Sequence, residues 1–174
     1  MLKKAGFRYP RIAWDSKYED YHKIKEQIDV LKNAGYNTKE IYIFVLYNWD
    51  IPFEKMELKR IKCWEWGVQI ADCRYRPLNQ LYDDFDSRKT NQSINDYYIH
   101  SSKGWTDTLI KQFRKNVRMQ NICVRHAFPF YSKKFETKKL DKEIMRKTKE
   151  LKSVSEKISF LRKMEVDYWV PKLE

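Results

Sequence analysis

The chain has 174 residues and a formal net charge of +12, with 42% hydrophobic and 34% charged residues. This length and apolar content suit one domain of ordinary size with a real core. No run approaches the roughly 18 apolar residues that a membrane span needs, and the Met-Leu-Lys-Lys start lacks the apolar core of a signal peptide. We therefore expect a cytoplasmic protein that does not enter a membrane.

The first elements predicted are a strand and a helix. The run RIAWD at residues 11–15 predicts a short strand. Ser16 and Glu19 have the S-x-x-E spacing of a capping box, which predicts that a helix begins there. Gly35 is expected to end this helix, because glycine adopts the left-handed conformation after a helix without strain.

A second strand, a helix and a third strand follow. IYIFVLY at residues 41–47 shows almost no alternation, which predicts a strand that is covered on both faces. Asp50 is expected to cap the next helix, with Pro52 in its first turn and Gly67 at its end. VQIADCRYR at residues 68–76 predicts the third strand. Three strands with two intervening helices predict a parallel β-α-β-α-β unit in an α/β protein.

The character of the sequence changes after this unit. Residues 79–105 are polar, aromatic and rich in turn residues, which predicts a long ordered loop. Thr106 is expected to cap a helix with one apolar and one basic face, and a long charged helix is predicted at about residues 138–164.

The predicted elements divide the chain into three segments. Residues 1–78 are expected to form a partial (β/α) half-barrel, and residues 79–135 a loop and a basic amphipathic helix packed on it. Residues 136–174 are expected to form the long charged helix and an aromatic tail.

Four short stretches carry a resemblance to a known family: IAWD, VLKNAG, IFVLYNWDIP and ADCRYRPL, in this order within residues 8–78. They resemble the C-terminal half of the radical S-adenosylmethionine (radical SAM) enzyme barrel. In that family a strand ends in an acidic residue, a helix carries an LL-K-AG pattern, and the last strand ends near MRYQPL. GWTDTLIKQFRKNVRMQN looks like the trailing helix of the family. The resemblance implies the last three strands of a six-stranded partial barrel.

The chain departs from the family in its cysteines. The family holds a [4Fe–4S] cluster with a CxxxCxxC motif, whereas Cys63, Cys73 and Cys123 are widely spread. We expect no iron–sulfur cluster and no metal site on this chain alone. The resemblance therefore implies a truncated or split protein that is inactive by itself. It would associate as a homodimer or with a complementing N-terminal half that supplies the cluster.

The resemblance also implies a partial site for S-adenosylmethionine at the carboxyl ends of the strands, where α/β sheets bind ligands. It places Asp15 at the ribose and puts Arg74 and Arg76 at the rim of the cleft. Three residues are implied near the adenine: Val45, Leu46 and Tyr47. Plain alternatives stay open, because Val45 and Leu46 also suit a core, Asp15 a helix cap, and the arginines a charged surface.

A second functional hypothesis depends on charge. Residues 101–134 hold eight Lys or Arg against the single acid Asp107, and such a field attracts phosphates. Aromatic residues flank this region and suit base stacking on single-stranded nucleic acid, although they also suit covering the sheet. The alternative is thus a nucleic-acid-binding or non-catalytic interaction module built on a half-barrel. Its candidate binding residues are Lys111, Arg114, Lys115 and Arg118.

Overall fold

The structure is a computed structural model that describes residues 3–126 and Glu150. Residues up to Asn121 belong to one compact unit, and residues from Ile122 onward belong to a second. The helix predicted at about residues 138–164 and the aromatic tail lie outside the described residues. The described part is a mixed α/β fold with a parallel sheet of three strands and three α-helices.

The strands and helices alternate along the first unit. In chain order they are β1 (Arg11–Ala13), α1 (Tyr21–Asn33), β2 (Tyr42–Tyr47), α2 (Phe53–Glu65), β3 (Gln69–Arg74) and α3 (Asp107–Arg125). Short 3₁₀ helices at Tyr18–Asp20, Thr38–Glu40 and Ser101–Lys103 precede α1, β2 and α3. The sheet order is β1-β2-β3, and Ile43 of the central strand aligns with Ile12 and Ile70. No helix in the described part is long and apolar enough to cross a membrane.

Two of the predicted helix caps are wrong. α1 begins at Tyr21 after a 3₁₀ turn, and no side chain caps either element, so the capping box of Ser16 and Glu19 does not form. The Glu19 carboxylate instead accepts a hydrogen bond from Lys55 Nζ at 2.7 Å. Asp50 likewise pairs with Lys103 at 2.7 Å, and α2 starts without a side-chain cap. In both cases the carboxylate pairs with a lysine that is distant in sequence and does not cap the helix start.

The other predicted helix ends are confirmed. Gly35 and Gly67 follow α1 and α2 with φ of +92° and +66°, in the region that a side chain disfavours. Thr106 Oγ1 accepts a hydrogen bond from the Leu109 amide at 3.3 Å, so it caps α3.

Only one face of the sheet packs against the helices. Alternate strand residues point to opposite faces. The buried core joins one set of strand residues to residues of all three helices: Ile12, Ile43, Val45, Tyr47 and Ile70 with Ile24, Ile28, Met56, Ile110 and Phe113. The other set forms what we term the open face: Ala13, Tyr42, Phe44, Leu46, Ala71 and Cys73. These six are half-buried or exposed, whereas Gln69 in the same set is 2% exposed. The prediction that β2 is covered on both faces is therefore wrong for Tyr42, Phe44 and Leu46 within the described residues.

The two outer edges of the sheet differ. At β3, the Asn121 side chain of α3 hydrogen-bonds to both the N–H and the C=O of Ile70. At β1, the Pro10 carbonyl and the Trp14 amide bond to β2, which directs the backbone groups of Arg11 and Ala13 outward. No described residue forms a backbone hydrogen bond with those two. The β1 edge is therefore open within the described part of the chain.

Candidate functional site

A cleft of about 490 Å³ lies at the carboxyl ends of β2 and β3. Strand residues form one wall, and the loop after β3 and helix α3 form the other. The lining residues are Tyr47, Asp72, Cys73, Arg74, Arg76, Asp83, Phe85 and Arg114. Three arginines and two carboxylates make this a highly charged cleft.

An ion pair between Arg74 and Asp83 forms the base of this cleft. Arg74 Nη2 lies 2.5 Å from both carboxylate oxygens of Asp83, and the two side chains are only 13% and 6% exposed. The guanidinium also lies 4.8 Å from the ring centre of Phe85 and 5.1 Å from that of Tyr97. A charge pair held this closely is already satisfied. Arg74 therefore contributes shape to the cleft more than free charge.

Two polar groups on the inner wall have no such partner. The Tyr47 ring is 2% exposed and packs against Trp105 and Phe113, and burial raises the pKa of Tyr47 above its ordinary value. Burial also raises the pKa of the Asp72 carboxyl. No cation among residues 3–126 forms a salt bridge with Asp72, and no described side chain hydrogen-bonds to the Tyr47 hydroxyl. Both groups are open to a ligand.

The mouth of the cleft holds two exposed arginines. The Arg76 side chain is 57% exposed, and its Nη1 lies 4.0 Å from Asp83 Oδ2, whose charge Arg74 already neutralises. Arg114 projects from α3 and lies 5.6 Å from the ring centre of Phe85. No carboxylate of the described residues lies within salt-bridge distance of Arg114. The charge of Arg114 does act on the Asp72 carboxyl, whose pKa it lowers against the effect of burial, so the cleft carries one excess positive charge.

Asn48, directly after β2, fixes the loop that forms the outer wall. It is fully buried and has a φ of +57°. Its Nδ2 donates to the carbonyls of Tyr75 and Tyr98 at 3.0 and 2.9 Å, and its Oδ1 accepts from the His100 amide at 2.8 Å. Trp105 Nε1 adds a 2.9 Å bond to the Ile51 carbonyl. The loop carrying Asp83 and Phe85 is thus fastened to the strand end.

The structure brings together three of the six residues expected to contact S-adenosylmethionine. Tyr47, Arg74 and Arg76 line the cleft. Val45 is 1% exposed and belongs to the core, whereas Leu46 lies on the open face. Asp15 is exposed just beyond β1 and does not line the cleft.

Four residues that line the cleft were not predicted as site residues: Asp72, Cys73, Asp83 and Phe85. Asp72 lies within the quoted ADCRYRPL stretch, and its place near a strand end was a usable signal. Asp83 and Phe85 lie in the loop, where nothing in the local pattern indicates that they meet Arg74. Arg114 was predicted only as a nucleic-acid contact, and its place in the cleft depends on the packing of α3.

The four predicted nucleic-acid contacts on α3 are not equivalent. Lys111 pairs with Asp107 at 3.0 Å and donates to the Lys89 carbonyl, so local groups balance its charge. Arg114, Lys115 and Arg118 are exposed. Three of the predicted contacts are therefore accessible to a phosphate backbone.

The cysteines occupy different environments. Cys63 is buried in the core, where burial raises the pKa of its thiol, and Cys73 is exposed on the open face. Cys123 belongs to the second unit and is half-buried. Within residues 3–126 no group of three or more His, Cys, Asp or Glu side chains is placed to hold a metal ion.

Comparison of the chain with protein-family models, with curated proteins and with solved structures finds no match in any of the three. The resemblance to the radical SAM barrel therefore stays a prediction. Any function has to be argued from the sheet and the cleft.

Proposed function

We propose that the chain is the C-terminal half of a truncated or split radical SAM-like protein. In this proposal it contributes nucleoside-side and substrate-side contacts, and it does not hold an iron–sulfur cluster alone. A second chain would complete the barrel, either a cluster-bearing N-terminal half or a second copy of this chain.

The observation that carries the proposal is the one-sided covering of the sheet. Parallel sheets are almost always covered on both faces. Here the helices of residues 3–121 pack on one face, and the open face keeps Phe44 and Leu46 half-exposed. A sector of a (β/α) barrel has this layout, because its helices form an outer ring and its other face points into the barrel.

The two sheet edges support the same proposal. If these strands are the last three of a partial barrel, the missing strands precede β1 and pair along its outer edge. That edge offers the backbone groups of Arg11 and Ala13, whereas Asn121 occupies the β3 edge at Ile70. The open edge is thus the one that the proposal requires.

S-adenosylmethionine is the cofactor that this proposal implies, and the chain would hold only part of it. The cluster-bearing half would supply the electron that cleaves the cofactor. From this chain, Tyr47, Arg74 and Arg76 would contact the nucleoside, which is supported by their position in the lining of the cleft. Val45 lies in the core, Leu46 on the open face and Asp15 in an exposed position. These three residues would contribute only in a barrel that the second chain completes.

The test is whether the open face binds a second chain. The tagged full-length chain is purified anaerobically from its source cells, and sedimentation velocity at micromolar concentration is combined with mass spectrometry. We expect a stable complex, with a CxxxCxxC-bearing chain that brings the visible absorbance of a [4Fe–4S] cluster, or a homodimer. Phe44→Glu on the open face should abolish it. The control is Leu81→Glu, the same type of change at a loop residue that is fully exposed. A monomer that retains neither partner contradicts the proposal.

Nucleic-acid binding is the second candidate function. It is favoured by three exposed cations on one helix, Arg114, Lys115 and Arg118. A single-stranded RNA oligonucleotide followed by fluorescence anisotropy should bind more weakly as salt rises from about 50 to about 200 mM, because phosphate contacts release counterions. The double variant Lys115→Glu/Arg118→Glu should remove most of the binding, and Lys17→Glu in an exposed turn serves as its control. An affinity that does not change with salt concentration, or the absence of binding at low salt, excludes nucleic-acid binding as the function.

A further inference from the structure

Three arginines and two carboxylates line the cleft, so it carries one excess positive charge. Asp83 is committed to Arg74, with both oxygens 2.5 Å from Nη2. Arg76 is then left 4.0 Å from a carboxylate that is already neutralised, and Arg114 has no described carboxylate within reach. Two exposed guanidinium groups therefore border one opening. Guanidinium groups of this kind match the geometry of phosphate oxygens through paired N–H donors.

The inner wall calls for a different chemical group. The Asp72 carboxyl and the Tyr47 hydroxyl face the cleft and lack hydrogen-bonding side-chain partners among the described residues. Asp72 is half-buried, and its own backbone amide and the nearby charge of Arg114 stabilise the charged form of its carboxyl. A carboxylate accepts hydrogen bonds from an exocyclic amino group of a nucleobase. The wall thus suits a ligand end that donates hydrogen bonds.

We propose that the cleft binds a nucleoside monophosphate as substrate, with its phosphate held between Arg76 and Arg114 and its base amino group directed at Asp72. The volume of about 490 Å³ falls within the range of small-molecule sites, roughly 300 to 1,000 Å³. This inference rests on the proposed function in one respect, which is that the cleft holds a nucleoside. It replaces the S-adenosylmethionine nucleoside, which has no phosphate, with a phosphate-bearing substrate in this cleft, and it assigns the recognition to Arg114 and Asp72.

The structure also explains why the phosphate would sit at the mouth. The base of the cleft is closed by the Arg74–Asp83 pair, whose side chains are nearly buried and fixed by the Phe85 and Tyr97 rings. Arg114 lies 5.6 Å from the ring centre of Phe85. The anchored ion pair keeps Asp83 from turning toward Arg114. The two mouth arginines stay available for an anion.

The test is calorimetric titration of the full chain with three probes: adenosine monophosphate, adenosine and inorganic phosphate. We expect the monophosphate to bind at least about tenfold more tightly than adenosine, since charge-assisted bonds to the phosphate add to the base contact. Inorganic phosphate alone should bind more weakly than the monophosphate. Arg114→Ala should reduce the affinity for the monophosphate at least tenfold and leave that for adenosine unchanged.

Two further variants separate a built site from general attraction. Arg118→Ala removes the same charge from an exposed position one turn along α3 that does not line the cleft, so its effect should be less than twofold. Asp72→Asn should weaken adenosine and adenosine monophosphate alike. Thermal melts of each variant confirm that it is folded.

The outcomes distinguish this inference from the proposed function. Equal affinity for adenosine and its monophosphate overturns the inference while the nucleoside contacts of the proposed function survive. Equal losses with Arg114→Ala and Arg118→Ala also overturn it, since binding would then be diffuse. No binding of the monophosphate at millimolar concentration overturns the inference. The proposed function is tested separately, by the sedimentation experiment that detects a complex with a second chain.

Discussion

The side chain of Asn121 replaces a neighbouring strand at Ile70. Its Oδ1 accepts a hydrogen bond from the Ile70 amide at 2.8 Å, and its Nδ2 donates to the Ile70 carbonyl at 2.7 Å. One carboxamide thereby satisfies both outward backbone groups of a strand residue that is 2% exposed. An edge that is paired in this way does not invite a further strand at that position.

Asn121→Ala is expected to destabilise the fold. The change leaves the N–H and C=O of Ile70 without partners, which costs about 1 to 3 kcal/mol in the free energy of unfolding, less a few tenths for the better helix propensity of alanine. Urea denaturation measures the loss. Lys115→Ala, at an exposed position of the same helix, is the control and should stay within about 0.5 kcal/mol of wild type. Equal stability of the two variants would show that the edge bonds contribute nothing.

Asn48 is expected to tolerate glycine better than alanine. Both changes lose the three hydrogen bonds to the loop backbone, but only alanine also strains the φ of +57°. Left-handed backbone costs a non-glycine residue roughly 1 to 2 kcal/mol. Asn48→Ala should therefore unfold at lower urea than Asn48→Gly, and both at lower urea than wild type. An alanine variant as stable as the glycine variant contradicts the structural role given to this backbone conformation.

A proline at the outer edge of β1 should weaken association with a second chain without destabilising the fold. The Ala13 amide points away from β2, so Ala13→Pro removes no bond of the sheet and is tolerated as proline is on edge strands. It does block a strand from pairing there. Sedimentation of the purified complex should show weaker association, whereas the melting temperature of the isolated chain should not change. Ile12→Pro is the contrasting variant, because its amide faces β2 and its loss should destabilise the fold itself. Wild-type association of Ala13→Pro would mean that the second chain does not use this edge.

The sequence predicts periodic features well and long-range pairings poorly. The three strands, α1, α2 and α3 follow from apolar runs and from residues such as Gly35 and Thr106, which act on their immediate neighbours. The caps at Ser16 and Asp50 do not form, and the Glu19 and Asp50 carboxylates pair instead with lysines far along the chain. Local spacing contains no information about those competitors.

The candidate site shows the same division. Arg74 and Arg76 could be named from their strand-end position, but whether Val45 or Leu46 faces the core is decided by which face the helices cover. A run without alternation, such as IYIFVLY, gives no sign of that choice. The burial of Lys59 in α2 also had no signal in the sequence, since a lysine in an amphipathic helix is ordinarily solvated.

Lys59 of α2 is buried at 1% exposure beneath the end of β1. Its Nζ donates to the carbonyls of Trp14 and Ser16 at 2.8 and 2.6 Å and lies 5.2 Å from the centre of the Trp14 ring. Burial lowers the pKa of Lys59 from 10.5 to about 8, although the nearby charge of Asp15 opposes the shift. Burying the charged ammonium of Lys59 therefore costs free energy, and this cost disappears when Lys59 loses its proton.

The stability of the protein should depend on pH through this lysine. Between about pH 8 and 10.5 the unfolded chain keeps the proton that the folded chain has lost, so folding releases a proton and the free energy of unfolding rises with pH. Cys63, Tyr47 and Tyr97 have raised pKa values and act in the opposite direction at the alkaline end, so the Lys59 contribution is read as a difference from Lys59→Met. Over this pH window the free energy of unfolding of wild type should rise relative to that of Lys59→Met by on the order of 1 to 3 kcal/mol. Lys17→Met, at an exposed position, should give a flat difference. If Lys59→Met does not fold, an NMR titration of carbon-labelled lysine in wild type decides the matter, since a Lys59 resonance that titrates near 10.5 contradicts the buried, weakly basic lysine.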